Sequence, residues 1–194
     1  LIWTRQNLRK TLEKRLRQLK TDYIDVFQFL GVMKRKEFPE GLQEELRRLK
    51  EDGRVRAVGL SCHDRKFAGE LAARGAVDVL MIRYNAAHPG AEQDIFPNLA
   101  AHQPGVVSYT ATRWGHLLRR PKGWPKNSPV PTPGQCYRFV LSNPSVDVCL
   151  MAPSNRKHLE ENLSALAAGP LDPAEMEFMR RFGEAVHRAR KWFM

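Results

Sequence analysis

The side chains of this chain that could do chemistry cluster just after its short apolar runs. His63 comes after Val55–Ser61 and His88 comes after Asp78–Tyr84. Imidazole is the side chain whose ordinary pKa suits proton transfer near neutral pH, although a lone histidine at a strand end is more often surface or structural. Tyr84 and Asn85 could meet a ligand, or Tyr84 could be a packed aromatic with its hydroxyl at the rim. Cys62 could be a nucleophile, but no base is adjacent in sequence, so it reads as inert. Cys136 and Cys149 complete a set of three cysteines. Their odd number, wide spacing and lack of a CxxC pair argue against a disulfide framework or a zinc site. Cys149 lies inside an apolar run and reads as buried. Arg113, His116, Arg119, Arg120, Lys122 and Lys126 gather in a proline-rich stretch, where they could serve a phosphate-bearing ligand.

These residues need elements to position them. Five apolar runs have the length and spacing of strands: Tyr23–Phe29, Val55–Ser61, Asp78–Tyr84, Gly105–Ala111 and Asp147–Ala152. Helical periodicity fills the gaps. Residues 4–20 carry Leu8, Leu12, Leu16 and Leu19 at helical spacing, with Thr4 as the N-cap. Pro39–Asp52 follows, stopped at Gly53, which can take the left-handed conformation. Phe67–Arg74, a brief Ile95–Ala101, Gln135–Ser142, Arg156–Ala168 and Pro173–Trp192 are the remaining helices, the last with Met176, Met179, Phe182 and Val186 inward. Residues 120–134 read as a long loop, which in a compact domain is usually functional or disordered. Strands alternating with helices imply right-handed βαβ units and a parallel sheet.

Composition narrows the classes. The 194 residues carry 32 Lys and Arg against 21 Asp and Glu, a net charge of +11. Much of the excess decorates the helix over residues 5–20 and reads as a solvated face. No nucleic-acid motif accompanies the charge, so nucleic acid is not the expected partner. No run approaches the ~18 apolar residues of a membrane span, and the start lacks the apolar core of a secretory signal. A reducing, cytoplasmic setting is expected. The start at Leu1, without an initiator Met, reads as a truncated frame or fragment.

Several segments resemble, in order, the aldo/keto reductase family. LRKTLEKRLRQLKTDYIDVFQ is similar to the helix and fourth strand of that family, where rLgtDYiDlyq is common. LKEDGRVRAVGLS is similar to lkeeGkvraiGvS, RYNAAHPGAEQDIFP to the sixth strand and its loop, and GVVSYTATRWGHLL to gviaysplgrGlL. VDVCLMAPSNRKHLEENLSAL resembles the eighth strand and the helix that meets the nucleotide phosphate. The resemblance implies an α/β fold of the (β/α)8 TIM-barrel type, incomplete, with about five parallel strands and flanking helices over one partial domain, residues 1–194.

It also implies a function: NAD(P)H-dependent reduction of a small-molecule carbonyl by hydride transfer. The family's proton-donating Tyr and the Lys and Asp that tune it precede its fourth strand, and no residue here matches them. Its His, at the end of the DYiDlyqlH pattern, falls on Leu30, which can neither donate nor accept a proton. No catalytic residue is therefore assigned, and the isolated chain is expected to be inactive. The cofactor residues carry over better. Ser61 matches the carboxamide-binding Ser, Cys62 takes its partner Asn's place, and Met81 stands for the customary Gln. Tyr109 matches the aromatic that stacks on the nicotinamide, with Thr110, Thr112 and Arg113 along the pyrophosphate. Ser154, Asn155, His158, Glu161 and Asn162 match the adenosine end, flanked by Arg156 and Lys157. The cofactor is NADP or NAD. Trp114, beside Gly115, reads as packing, and Trp3, Trp192 and Phe193 as a lost partner surface.

The alternative is a catalytically dead barrel fragment that binds a nucleotide or a protein. Five of eight strands leave two open sheet edges, and open edges invite pairing, so an oligomer through them is an expected partner arrangement.

Overall fold

A computed structural model describes residues 8–189. The N-cap assigned to Thr4 and the surface assigned to Trp3, Trp192 and Phe193 lie outside the described residues. The five expected strands form, as β1 (Ile24–Val32), β2 (Val55–Cys62), β3 (Val79–Arg83), β4 (Gly105–Tyr109) and β5 (Val148–Cys149). They stand in chain order in one open sheet, alternating with helices, and β1–β2, β2–β3 and β4–β5 pair in parallel. This is an incomplete (β/α) barrel. Among the described residues no helix is long and apolar enough to cross a membrane.

The chain packs as two compact units. The first comprises residues up to Ile82 together with Glu92–Val106. Helix α1 (Leu8–Leu19) buries Leu8, Leu12 and Leu16 and leaves its basic face to solvent, as the heptad-like spacing requires. Leu19, expected on the apolar stripe, is exposed instead, because the helix ends there and Lys20 turns the chain with φ +55°. Helix α2 (Glu40–Glu51) buries Leu46 and Leu49, and Gly53 at φ +74° closes it before β2. Helix α3 (Arg65–Ala73) is capped by Asp64, whose carboxylate accepts from the Phe67 N–H at 3.1 Å. Gly69 on α3 lets the carbonyl of Asp94 approach so closely that a Cβ there would overlap it. The expected helix at 95–101 is not continuous: a short turn α4 (Ala91–Asp94) gives way to a 3-10 turn at Phe96–Asn98. Pro97 has no N–H to give and disfavours helix at the residue before it.

Arg83–Ala91 and the residues from Val107 on make the second unit. Here the loop ends earlier than its prolines suggest. Helix α5 (Pro133–Leu141) starts at Pro133, because Thr132 and Gln135 form a reciprocal capping box around a proline suited to the first turn. Arg138 on α5 staples the unit: it donates to the carbonyls of Gly169 and Pro170 at 2.8 and 2.7 Å and pairs with Glu175 at 2.7 Å. Helix α6 (Arg156–Ala168) has the expected bounds. Helix α7 (Pro173–Ala189) buries Met179, Phe182 and Val186, with Met176 half-buried. β5 is shorter than the run that suggested it, and Cys149 is half-buried rather than buried. It ends the strand order, paired with β4, and Val148 and Leu150 are 46% and 43% exposed.

Candidate functional site

In the first unit the register places Ser61, next to the C-terminal end of β2, directly beside Met81 in the middle of β3. Ser61 is buried and Met81 half-buried. A residue that the sequence reading passed over joins them. Gln28 on β1 pairs with Gly59 on β2, and its side chain lies over that glycine. With its amide oxygen turned toward the donors, Gln28 accepts from the Ser61 N–H at 3.0 Å and the Leu60 N–H at 3.3 Å. Part of the signal was in the sequence, since a polar residue inside the β1 run has to spend its amide on something; the facing glycine comes only with the register. Leu30 follows on the same alternation as Gln28, half-buried, opposite the buried Phe27 and Phe29.

Cys62 is not brought to this face. It is 2% exposed, its thiol donates to the Asp64 carbonyl at 3.2 Å, and burial pushes its pKa up to about 12. A thiol held protonated in this way is inert, as expected. His63 gives its backbone N–H to the Val32 carbonyl at 2.8 Å.

In the second unit Tyr84 and Asn85 are structural. Tyr84 packs on Phe139, its hydroxyl accepts from the Asn143 amide at 3.3 Å, and its carbonyl accepts from the Ser108 hydroxyl at 3.0 Å. Asn85, fully buried, donates to the Thr110 carbonyl at 2.9 Å and accepts from the Ala87 N–H at 3.0 Å. The loop after β3 is thereby fastened to the loop after β4. His88 sits edge-on to His187 of α7, ring centres 5.2 Å apart.

Tyr109 ends β4, half-buried, and opens a strained loop. Thr110, Arg113 and Trp114 have φ of +62°, +50° and +51°, followed by Gly115 at +77°. Non-glycine residues rarely adopt this region, and runs of them persist only when the surroundings hold them. The loop is held from inside. Its N–H groups bond back, Arg113 to the Thr110 carbonyl and Leu117 to that of Thr112, and the Thr112 hydroxyl accepts from Gly115. Arg113 is 0% exposed and donates to the Val186 carbonyl at 3.0 Å. Its guanidinium therefore anchors the loop and is not presented along its surface. Trp114, expected to pack, is 61% exposed.

The residues matched to the adenosine end meet at the start of α6. Asn155 caps the helix, accepting the His158 N–H at 2.9 Å, and Ser154 Oγ lies 2.9 Å from His158 Nδ1. Ser154, Asn155, His158 and Glu161 are exposed, Asn162 half-buried, and Arg156 pairs with Glu160 at 2.7 Å. The remaining first-turn amides have no intrahelical partner, and the helix dipole favours an anion there.

The chain belongs to the aldo/keto reductase family: the family model matches residues 3–131. The family is one of oxidoreductases that act on small-molecule carbonyls, generally with NAD(P)H. The fold is similar to that of aldo-keto reductase AKR11C1 from Bacillus halodurans. Against its holo form the TM-score is 0.73 at 23% identity, covering 92% of this chain and 67% of that one. Against the apo form the values are 0.71, 22%, 92% and 68%. No curated protein sequence matches the chain.

Proposed function

We propose that this chain carries the dinucleotide-binding residues of an NAD(P)H-dependent aldo/keto reductase and, as the 194-residue chain, binds the nucleotide without reducing a carbonyl. The observation that supports it best is the Ser61–Met81 pair across the β2–β3 ladder, with the Ser61 backbone fixed by Gln28. A hydroxyl held on a rigid ladder can hold a carboxamide in one orientation, which hydride transfer needs.

The residues present suit such a group. Ser61 and Met81 would hold the nicotinamide end, with Cys62 supporting the strand from its other face. Tyr109 would offer its ring, and Thr110 and Thr112 would line the pyrophosphate on the loop that Arg113 anchors. Ser154, Asn155, His158, Glu161 and Asn162 would hold the adenosine end, where Arg156 and Lys157 can reach a 2′-phosphate. Arg pairs with such a phosphate through a planar fork, which favours NADP over NAD. When bound, the reduced cofactor supplies the hydride. This chain's own residues bind and orient it. Proton delivery to the carbonyl oxygen is assigned to none of them, because none matches the family's proton-donating Tyr and Leu30, at the position of its His, has no donor or acceptor.

The test is a fluorescence titration of NADPH and NADH with the chain, alongside turnover of a panel of aldehydes and ketones. Saturable binding, tighter for NADPH and weakened by Ser61→Ala, with no turnover, is expected. Failure to bind either nucleotide, or carbonyl-dependent loss of NADPH absorbance, would overturn the reading.

A further inference from the structure

The basic cluster that the dinucleotide does not use has its own concavity in the second unit. Residues 122–125 of the loop over 119–125 and one face of α7 line an open groove of about 710 Å³. A smaller one of about 280 Å³ adjoins it, sharing Lys122 and Ala189. Arg181 and Arg188 line the larger groove from α7, seven residues and so two turns apart, hence on one face. Lys122 faces them from the loop, and Arg119 and Arg120 line the smaller groove. Among the described lining residues the acid is Glu184, already paired with Arg188 at 3.3 Å.

The walls are fixed. Trp124 donates its indole N–H to the Pro129 carbonyl at 3.0 Å and stands edge-on to Phe182, ring centres 4.9 Å apart. Arg120 donates to the Pro125 carbonyl, and the Trp124 backbone N–H to that of Pro121. With Lys122, Arg181 and Arg188 against the single Glu184 among its described lining residues, the groove carries an excess of positive charge, which focuses its field and concentrates anions. Its volume is that of a small-molecule site. The cations come from two opposed walls, so a ligand carrying several negative groups in a short span can engage both.

We propose that the groove between the 119–125 loop and α7 binds an oligophosphate, a small molecule carrying two or more linked phosphates, at a site separate from the residues assigned to the dinucleotide. The inference does not depend on nucleotide binding or catalysis.

Calorimetric titration of the chain with inorganic pyrophosphate and tripolyphosphate tests it, in chloride buffer with and without saturating NADPH. Binding unaffected by NADPH, stronger for tripolyphosphate, and weakened about tenfold or more by Arg181→Glu is expected, the loss of one charge-assisted contact. Lys122→Glu on the opposite wall gives the same result should the first variant fail to fold, as a thermal melt shows. Three outcomes would overturn the proposal. The charge reversals leave the affinity unchanged; or NADPH displaces pyrophosphate, making the groove part of the dinucleotide site; or duplex DNA binds more tightly with the same dependence on Arg181 and Lys122, making the ligand a nucleic acid.

Discussion

Gly183 of α7 lies against the backbone carbonyl of Ala86, so close that a Cβ at 183 would overlap both its oxygen and its carbon. The helix thus rests on the loop after β3, where Asn85 and His88 sit, and only a hydrogen side chain permits that approach.

Gly183→Ala must push α7 off this loop, since backbone cannot yield as a flexible side chain can. A loss of about 1–3 kcal/mol is expected, the usual cost of overpacking. Urea unfolding should show a lower midpoint with an unchanged slope. An unchanged midpoint would mean that the approach is not needed.

Arg113 bears on the same helix from the loop after β4. Replacing it with Met keeps most of the volume and removes the donor to Val186. A loss of about 1.5–3 kcal/mol is expected for a charge-assisted bond in the interior. Arg113→Lys does not restore it, because an ammonium cannot reproduce the planar fork. Relaxed loop strain should appear as faster amide exchange at Trp114 and Gly115.

Gly59→Ala puts a methyl where the Gln28 amide lies over β2. The Gln28 side chain must leave, and the Ser61 N–H loses its acceptor. Under the proposed function, NADPH affinity falls about tenfold while stability changes by roughly 1 kcal/mol or less. Gln28→Ala should reproduce the binding loss without the added methyl. If both variants bind as the parent does, Gln28 plays no part in holding the nucleotide.

The three thiols set a pH dependence. Burial pushes Cys62, Cys136 and Cys149 up from 9.0 to about 12. In the unfolded chain they ionise near their ordinary value, while in the folded chain they keep their protons. The folded state therefore binds more protons between about 9 and about 12, and stability falls as pH rises through that window. The melting temperature should decline from pH 9 to 11, and less so in a variant with all three replaced by alanine. Below pH 8, Ellman's reagent should react slowly with the native chain and fast in denaturant.

Much of this was legible in the sequence because periodicity and stop signals are local. Leu8, Leu12 and Leu16 announce α1, and Gly53 announces its successor's end, without reference to anything distant. The run 147–152 announces a strand but not its partner. A ladder is a property of two segments, and here it holds only at Val148 and Cys149. At the candidate site, family motifs located Ser61 and the α6 N-terminus. They said nothing of Gln28, whose role depends on register with Gly59. Nor could they show that Arg113 points inward while Trp114 points out, since that follows from three successive left-handed choices that the rest of the unit enforces.

Asn85 also gives the molecule a vulnerable spot on a slow clock. Its carboxamide both donates and accepts, to Thr110 and Ala87, while fully buried. Conversion of that side chain to aspartate by chemical ageing would keep the acceptor and abolish the donor. It would set a negative oxygen against the Thr110 carbonyl and so unlatch two loops at once. The same packing that makes the amide indispensable shields it from the hydrolysis that would destroy it.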